Sequence, residues 1–318
     1  MGKRSRVKQR AATTSTAPGD AEVGPRQPCP CGSGRRYKHC HGRPGGAPAP
    51  YVARTFEGLP GECDWVALRE FVPTATARLP LRDGVKTDRE VTVATLLPLA
   101  TPAVVRMNGS VWVGLQVYAN HGDVSRDLAH ALETALETTP GNSVQPPGLP
   151  GPGKRLQDLL ADEPLDVTLH PGFDYWVEGA PDPTGEVAAS MERANASVVP
   201  TARLTSVPSA YWCRMKERTH LRWVLPEDED PVLDALARLS AAGALGIGPD
   251  TRFVGSFRAH GLLVPVWDAP FDCEAEAMEE PVAALRARLD EELASDKPLT
   301  VDERRARSGL LSRQLTLN

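Results

Sequence analysis

Residues Ala103–Tyr118 read AVVRMNGSVWVGLQVY, and residues Asp123–Thr138 read DVSRDLAHALETALET. The first stretch holds two β-rich runs, Ala103–Met107 and Val111–Tyr118, around Asn108-Gly109. Asn and Gly both tolerate positive φ, so this pair is a strong hairpin signal. The second stretch opens on Asp123, whose carboxylate can accept the first free N–H groups of a helix, and sets Leu128, Leu132 and Leu136 on one face. A hairpin followed by a helix belongs to an α+β fold with antiparallel strands, and not to the βαβ alternation of a parallel sheet.

The same order recurs downstream. Tyr211–Met215 and Thr219–Leu225 read as strands around Lys216-Glu217-Arg218, and Asp230-Pro231 then opens a helix through Ala242, an N-cap followed by Pro at the first helical position. Arg106-Met107 aligns with Arg214-Met215, and residues 127–132 align with residues 234–239. This leaves two alternatives open: an internal duplication giving two similar lobes, or two independent amphipathic units. A further hairpin, Thr251–Arg258 and Leu262–Trp267, turns at His260-Gly261.

The remaining elements are read from caps and periodicity. Asp64 is expected to cap a helix beginning Trp65-Val66-Ala67-Leu68, which Pro73 ends or kinks. Val91–Leu97 and Tyr175-Trp176-Val177 read as strands, with Asp174 in the turn before the second. Glu274–Leu293 is mostly helical, with Val282, Leu285, Leu289 and Leu293 as its apolar stripe and Pro281 as a kink or a start. Thr300-Val301-Asp302-Glu303 is a capping box.

Composition divides the chain. Residues 1–50 carry ten Lys or Arg against Asp20 and Glu22, a local charge of +8 within a chain of net charge −5. A basic head on an acidic body is an interaction signature. The expected organisation is a disordered basic tail at 1–28, a metal motif at 29–42, a linker at 43–50, a first lobe at 51–138, a Pro/Gly-rich linker or loop at 139–155, a second lobe at 156–298 and a short C-terminal helix with its tail at 299–318. No segment has the apolar core of a signal peptide. The most apolar stretch, Val91–Val105, is broken by Pro98 and Pro102 and is shorter than the about 20 residues a spanning helix needs. The expected compartment is the cytoplasm.

The metal motif is PCPCGSGRRYKHCHG, residues 28–42. In extended chain, side chains two apart point the same way, so Cys29 and Cys31 can grip one ion. Gly32 and Gly34 let the chain turn, and the return leg delivers Cys40 and His41. Three thiolates and one imidazole suit tetrahedral Zn²⁺ and fill every position, which makes the site structural. Arg35, Arg36 and Lys38 can offset the surplus negative charge.

The run CPCGSG, the segment RRYKHC and the terminal HG resemble the SEC-C motif, the zinc module of the SecA C-terminal tail. The resemblance implies Cys29, Cys31, Cys40 and His41 as ligands and leaves His39 outside the set. In SecA the module contacts an export chaperone and the ribosome. The position near the N-terminus and the lack of any G-x-x-x-x-G-K-[ST] loop separate this chain from the SecA ATPases. The stretches GLPGECDWVALREFVPTATA (58–77) and GLLSRQLTL (309–317) resemble an uncharacterised actinobacterial family that carries SEC-C in front.

Other candidates read more plainly as structure. His121, His130, His170, His220 and His260 stand isolated in sequence. Cys213 beside Trp212 reads as core, as do Trp112, Trp223 and Trp267. Glu227–Asp230 suits a helix N-terminus better than a cation. Glu70 and Asp64 near Cys63 make a poor acid–base pair, since Asp64 is expected to cap. No G-x-S-x-G is present. The preferred function is a non-enzymatic adaptor whose zinc knuckle docks a protein. The alternatives are a ribosome- or RNA-associated protein acting through Lys3, Arg4, Arg6, Lys8 and Arg10, and an enzyme with an unassigned site between the lobes.

Overall fold

The computed structural model describes residues 24–27, 35–40, 51–118, 120–145, 148, 150–177 and 185–313. The chain forms two compact units, residues 1–48 and 49–318. The larger unit is α+β, as the hairpin pattern predicts.

Its first sheet is built from β1 (Ala75–Arg78), β2 (Val91–Ala94), β3 (Ala103–Val105), β4 (Val111–Gly114), β5 (Ser143–Val144) and β6 (Thr168–Leu169), in the order β5-β3-β4-β2-β1-β6. The Asn108-Gly109 hairpin is present, with Ala103 opposite Val113 and Val105 opposite Val111. The expected strands are shorter than read, stopping at Ala94 and Gly114. One pairing departs from the hairpin scheme: β2 and β4 run parallel, with Val91 opposite Val111. Helix α1 (Glu62–Glu70) precedes this sheet, α2 (Val124–Glu137) follows β4, and the short α3 (Leu156–Leu159) follows β5. Asp123 caps α2, as read, accepting from the Arg126 N–H.

Helix α4 (Gly185–Ala196), which sequence reading did not anticipate, leads into the second sheet. That sheet contains β7 (Thr201–Arg203), β8 (Ala210–Met215), β9 (Arg218–Trp223), β10 (Arg252–Ala259) and β11 (Leu262–Ala269), all antiparallel, in the order β10-β11-β9-β8-β7. The turn at His260-Gly261 uses positive φ at both residues, 46° and 83°. Helices α5 (Glu229–Ala241), α6 (Glu276–Leu293) and α7 (Val301–Ser312) complete the unit. Both halves of the Thr300/Glu303 capping box form. Both hairpins are followed by a helix, but β4 continues the sheet with parallel β2 while β9 continues with antiparallel β11.

Three expectations are corrected. Asp64 does not cap α1: Gly61, at φ 67°, starts the helix earlier and carries Asp64 into the first turn, where it is buried. Helix α5 is preceded by Asp228 and not Asp230, so Pro231 falls inside the first turn, where its missing N–H costs no bond. Tyr175–Val177 is not a strand. Asp174–Trp176 forms a 3₁₀ turn that lets the Tyr175 hydroxyl and the Trp176 indole N–H both donate to the Leu96 carbonyl, at 3.0 and 2.8 Å.

One apolar cluster runs from β1–β4 and α2 through Trp65, Val66 and Leu68 of α1 to Tyr211, Val264 and Val266 on one face of the second sheet. The opposite face of that sheet carries a separate cluster with Trp223, Trp267 and the inward residues of α5, α6 and α7. Helix α1 packs into this shared cluster, and its Asp64 bonds Arg203 of β7 and Tyr211 of β8 while Arg69 reaches the Leu115 carbonyl. No helix among the described residues is long and apolar enough to cross a membrane.

Candidate functional site

In the smaller unit, the described residues are the two limbs of the motif loop. Gly24–Gln27 forms a turn. The Tyr37 N–H donates to the Gln27 carbonyl at 2.8 Å, and the Lys38 N–H to the Pro25 carbonyl at 3.0 Å. Tyr37–His39 is a 3₁₀ turn that ends at Cys40. Cys40 is 2% exposed, while Arg35, Arg36, Lys38 and His39 are exposed. A segment this polar has little apolar core of its own in which to bury a thiol. Cys29, Cys31 and His41 lie outside the described residues, as do Lys3, Arg4, Arg6, Lys8 and Arg10. Among the described residues no three His, Cys, Asp or Glu side chains gather in a way that could hold a metal.

The larger unit brings together groups that the sequence keeps far apart. Asp64, 5% exposed, accepts three donors: Ser209 Oγ at 2.8 Å and Tyr211 Oη at 2.9 Å on Oδ1, and Arg203 Nη2 at 2.8 Å on Oδ2. Burial and the neighbouring carboxylate push the Tyr211 hydroxyl up, so it stays a donor. Beside it lies a cavity of about 600 Å³ lined by Gly61, Cys63, Asp64, Arg203, Trp223 and Arg286 among others. Burial, with help from Glu62 and Asp64, pushes the Cys63 thiol up to about 12. A thiol held protonated is not a nucleophile. Asp64 is committed to three donors, of the about four bonds a carboxylate can accept. The arrangement can bind a ligand, and it presents no thiolate.

The histidines are less isolated than their sequence positions suggest. His121 Nδ1 lies 3.0 Å from Asp127 Oδ1, His220 Nδ1 lies 2.7 Å from Asp268 Oδ1, and His260 Nε2 lies 2.8 Å from Glu70 Oε1. His170 Nε2 lies 2.8 Å from Thr76 Oγ1. Strand register also sets Cys213 opposite His220 and His220 opposite Asp268. Burial pushes the Cys213 thiol up, in keeping with the packing role read from sequence. Trp112, Trp212, Trp223 and Trp267 are all buried, as read. Glu227, Asp228, Glu229 and Asp230 pair with Arg286, Arg54, Arg258 and Arg307 around the start of α5.

Sequence reasoning missed the Asp64 cluster because its partners lie 139 to 147 residues away. The available signal was Gly61, whose conformational freedom could have moved the helix start and released Asp64 from capping.

Comparison with known proteins separates the same two parts. A family model described as a family of unknown function, DUF5926, matches residues 55–318, and the SEC-C motif matches residues 26–43. Over 37 residues the chain is 57% identical to the protein translocase subunit SecA of Acidithiobacillus ferrooxidans, which is 12% of this chain and 4% of that protein. The SecA subunit of Ectopseudomonas mendocina is 60% identical over 35 residues, 10% of this chain and 4% of its own length. That of Dehalococcoides mccartyi is 54% identical over 37 residues, again 12% and 4%. The likeness to SecA is therefore confined to the motif and does not reach its ATPase. No solved structure matches the chain.

Proposed function

We propose that this chain, which belongs to the family of unknown function DUF5926, is a non-enzymatic cytoplasmic adaptor that docks a protein partner through a zinc-closed SEC-C module. The supporting observation is the closed loop of the smaller unit. Its limbs are hydrogen bonded between residues 25–27 and 37–38, Cys40 is buried at the end of the return leg, and basic side chains are exposed beside it. Cys29, Cys31, Cys40 and His41 would hold the ion. Zinc there supplies cross-linking and no reaction, because four protein ligands leave no open position. Its binding free energy would stand in for the core that so short a segment lacks. The motif-bearing relatives are translocase subunits, which makes secretion machinery the first partner class to examine.

The test is metal content and partner capture with the full chain. Wild type should carry one zinc per chain and retain a partner that Cys31→Ser and Cys40→Ser both lose. A metal-free wild type, or capture unchanged in both variants, removes the proposal. Capture that declines steeply with salt and depends on Lys3–Arg10 would instead favour the RNA or ribosome reading.

A further inference from the structure

We propose that the cavity beside Asp64 binds a small organic anion, an apolar body carrying a carboxylate or a phosphate group. This reading does not depend on the docking role of the SEC-C module. The volume, about 600 Å³, lies within the range that metabolite-sized ligands fill. Pro164, Val207, Pro208, Trp223, Val224 and Pro226 supply mostly apolar walls. Such walls reward a ligand that brings apolar surface out of water.

The polar groups left over in this cavity are donors. The two carboxylates that line it are already used. Glu62 accepts a fork from Arg54, Nε at 2.8 Å and Nη2 at 2.9 Å. Asp64 accepts its three donors from Arg203, Ser209 and Tyr211. The donors are only partly used. Arg203 gives one Nη2 bond to Asp64 and keeps a side chain 34% exposed. Arg286 bonds Glu227 and Asp290 through Nη2 and keeps 24%. Helix α1 starts at Gly61 without a side-chain cap, so the Glu62 and Cys63 N–H groups have no acceptor among the described residues.

Two partly exposed guanidiniums line one mostly apolar cavity, and the helix start that contributes Glu62 and Cys63 to the lining has N–H groups with no acceptor among the described residues, so side-chain donor capacity exceeds acceptor capacity there. A group with several acceptor oxygens and a negative charge satisfies that surplus, and charge-assisted bonds to guanidinium are the strong kind. On the lining itself a cation meets only Glu62 and Asp64, both already engaged by arginine; Glu227 keeps one buried oxygen without a partner but holds Arg286 from outside the lining. Because Cys63 stays protonated, the site holds its ligand without a thiolate attack.

Calorimetric titration of the full-length protein with benzoate, phenyl phosphate and neutral benzamide tests this. At least one anion should bind saturably below ~10 mM, with benzamide ~10-fold weaker or worse. Benzoate against phenyl phosphate then distinguishes the two head groups. Arg203→Gln and Arg286→Gln should each weaken the anion by ~5-fold or more. Ser206→Trp, at an exposed lining position that bonds Glu279 and not Asp64, should abolish binding while circular dichroism stays unchanged. If Arg203→Gln does not fold, Arg286→Gln and Ser206→Trp carry the comparison. No saturable anion binding, equal binding of benzamide, or undiminished binding in folded Ser206→Trp overturns the proposal.

Discussion

The hydroxyl of Tyr211 on β8 donates a 2.9 Å hydrogen bond to Asp64 Oδ1 on α1, across 147 residues of chain. The same carboxylate takes Ser209 and Arg203, so one buried acceptor ties a helix of the first half to the sheet of the second. Around it the contacts are apolar, with Phe71 set edge-on to both Tyr211 and Phe257.

Removing that acceptor should cost more than removing one of its donors. Asp64→Ala leaves a guanidinium and two hydroxyls without their shared partner and should destabilise by about 3–5 kcal/mol. Tyr211→Phe deletes one donor while the carboxylate keeps two, a loss of about 1 kcal/mol. Urea denaturation of both variants decides it, and equal costs would mean that the cluster does not act as a unit.

Glu70 carries a pH dependence with a defined sign. Its hydrogen bond from His260, aided by the positive charges of His260 and Arg69 and opposed by burial, holds its carboxyl below the ordinary value of 4.5. In this range the unfolded chain binds more protons than the native one, so stability is present above pH 4.5 and is lost as pH falls through the lower native value. Glu70→Gln should flatten the stability profile in that acidic window. Urea midpoints for both proteins, taken from about pH 6 to pH 3, should converge as the pH drops; a constant gap between them contradicts the assignment.

Gly261 should resist substitution. Its φ is 83°, and an added Cβ would sit 2.8 Å from Arg54 Cβ and 3.0 Å from Arg54 Cα, which is backbone and cannot swing aside. Gly261→Ala should cost about 2 kcal/mol or more. Gly84→Ala, with nothing within 4 Å of its added Cβ, serves as the control and should be close to neutral. A calorimetric scan in which both variants melt together would show that the tip of the β10–β11 hairpin is not packed as described.

Cys63 should be chemically silent in the folded protein. The residue is 8% exposed and its thiol is pushed up to about 12, so almost no thiolate is present at neutral pH. Mass spectrometry after iodoacetamide should find Cys63 modified ~100-fold more slowly in buffer than in urea. Comparable rates would show that the α1 start opens readily.

The parts of this protein legible in sequence are those whose cause is local. The Asp123 cap, the Thr300/Glu303 capping box, the Asn108-Gly109 and His260-Gly261 turns and the residue pattern of the SEC-C motif all act within a few residues, so spacing and residue type suffice to read them. Tertiary structure alone decided that β2 runs parallel to β4, because the Asn108-Gly109 turn fixes only how β3 meets β4 and nothing local says which strand covers β4's other edge. It alone turned Asp64 from an expected cap into a buried acceptor and opened the cavity beside it. The reason is physical: Asp64, Arg203, Ser209 and Tyr211 meet only because α1 packs into a cluster shared by the two sheets, and contacts made by packing distant segments leave no periodicity in either one.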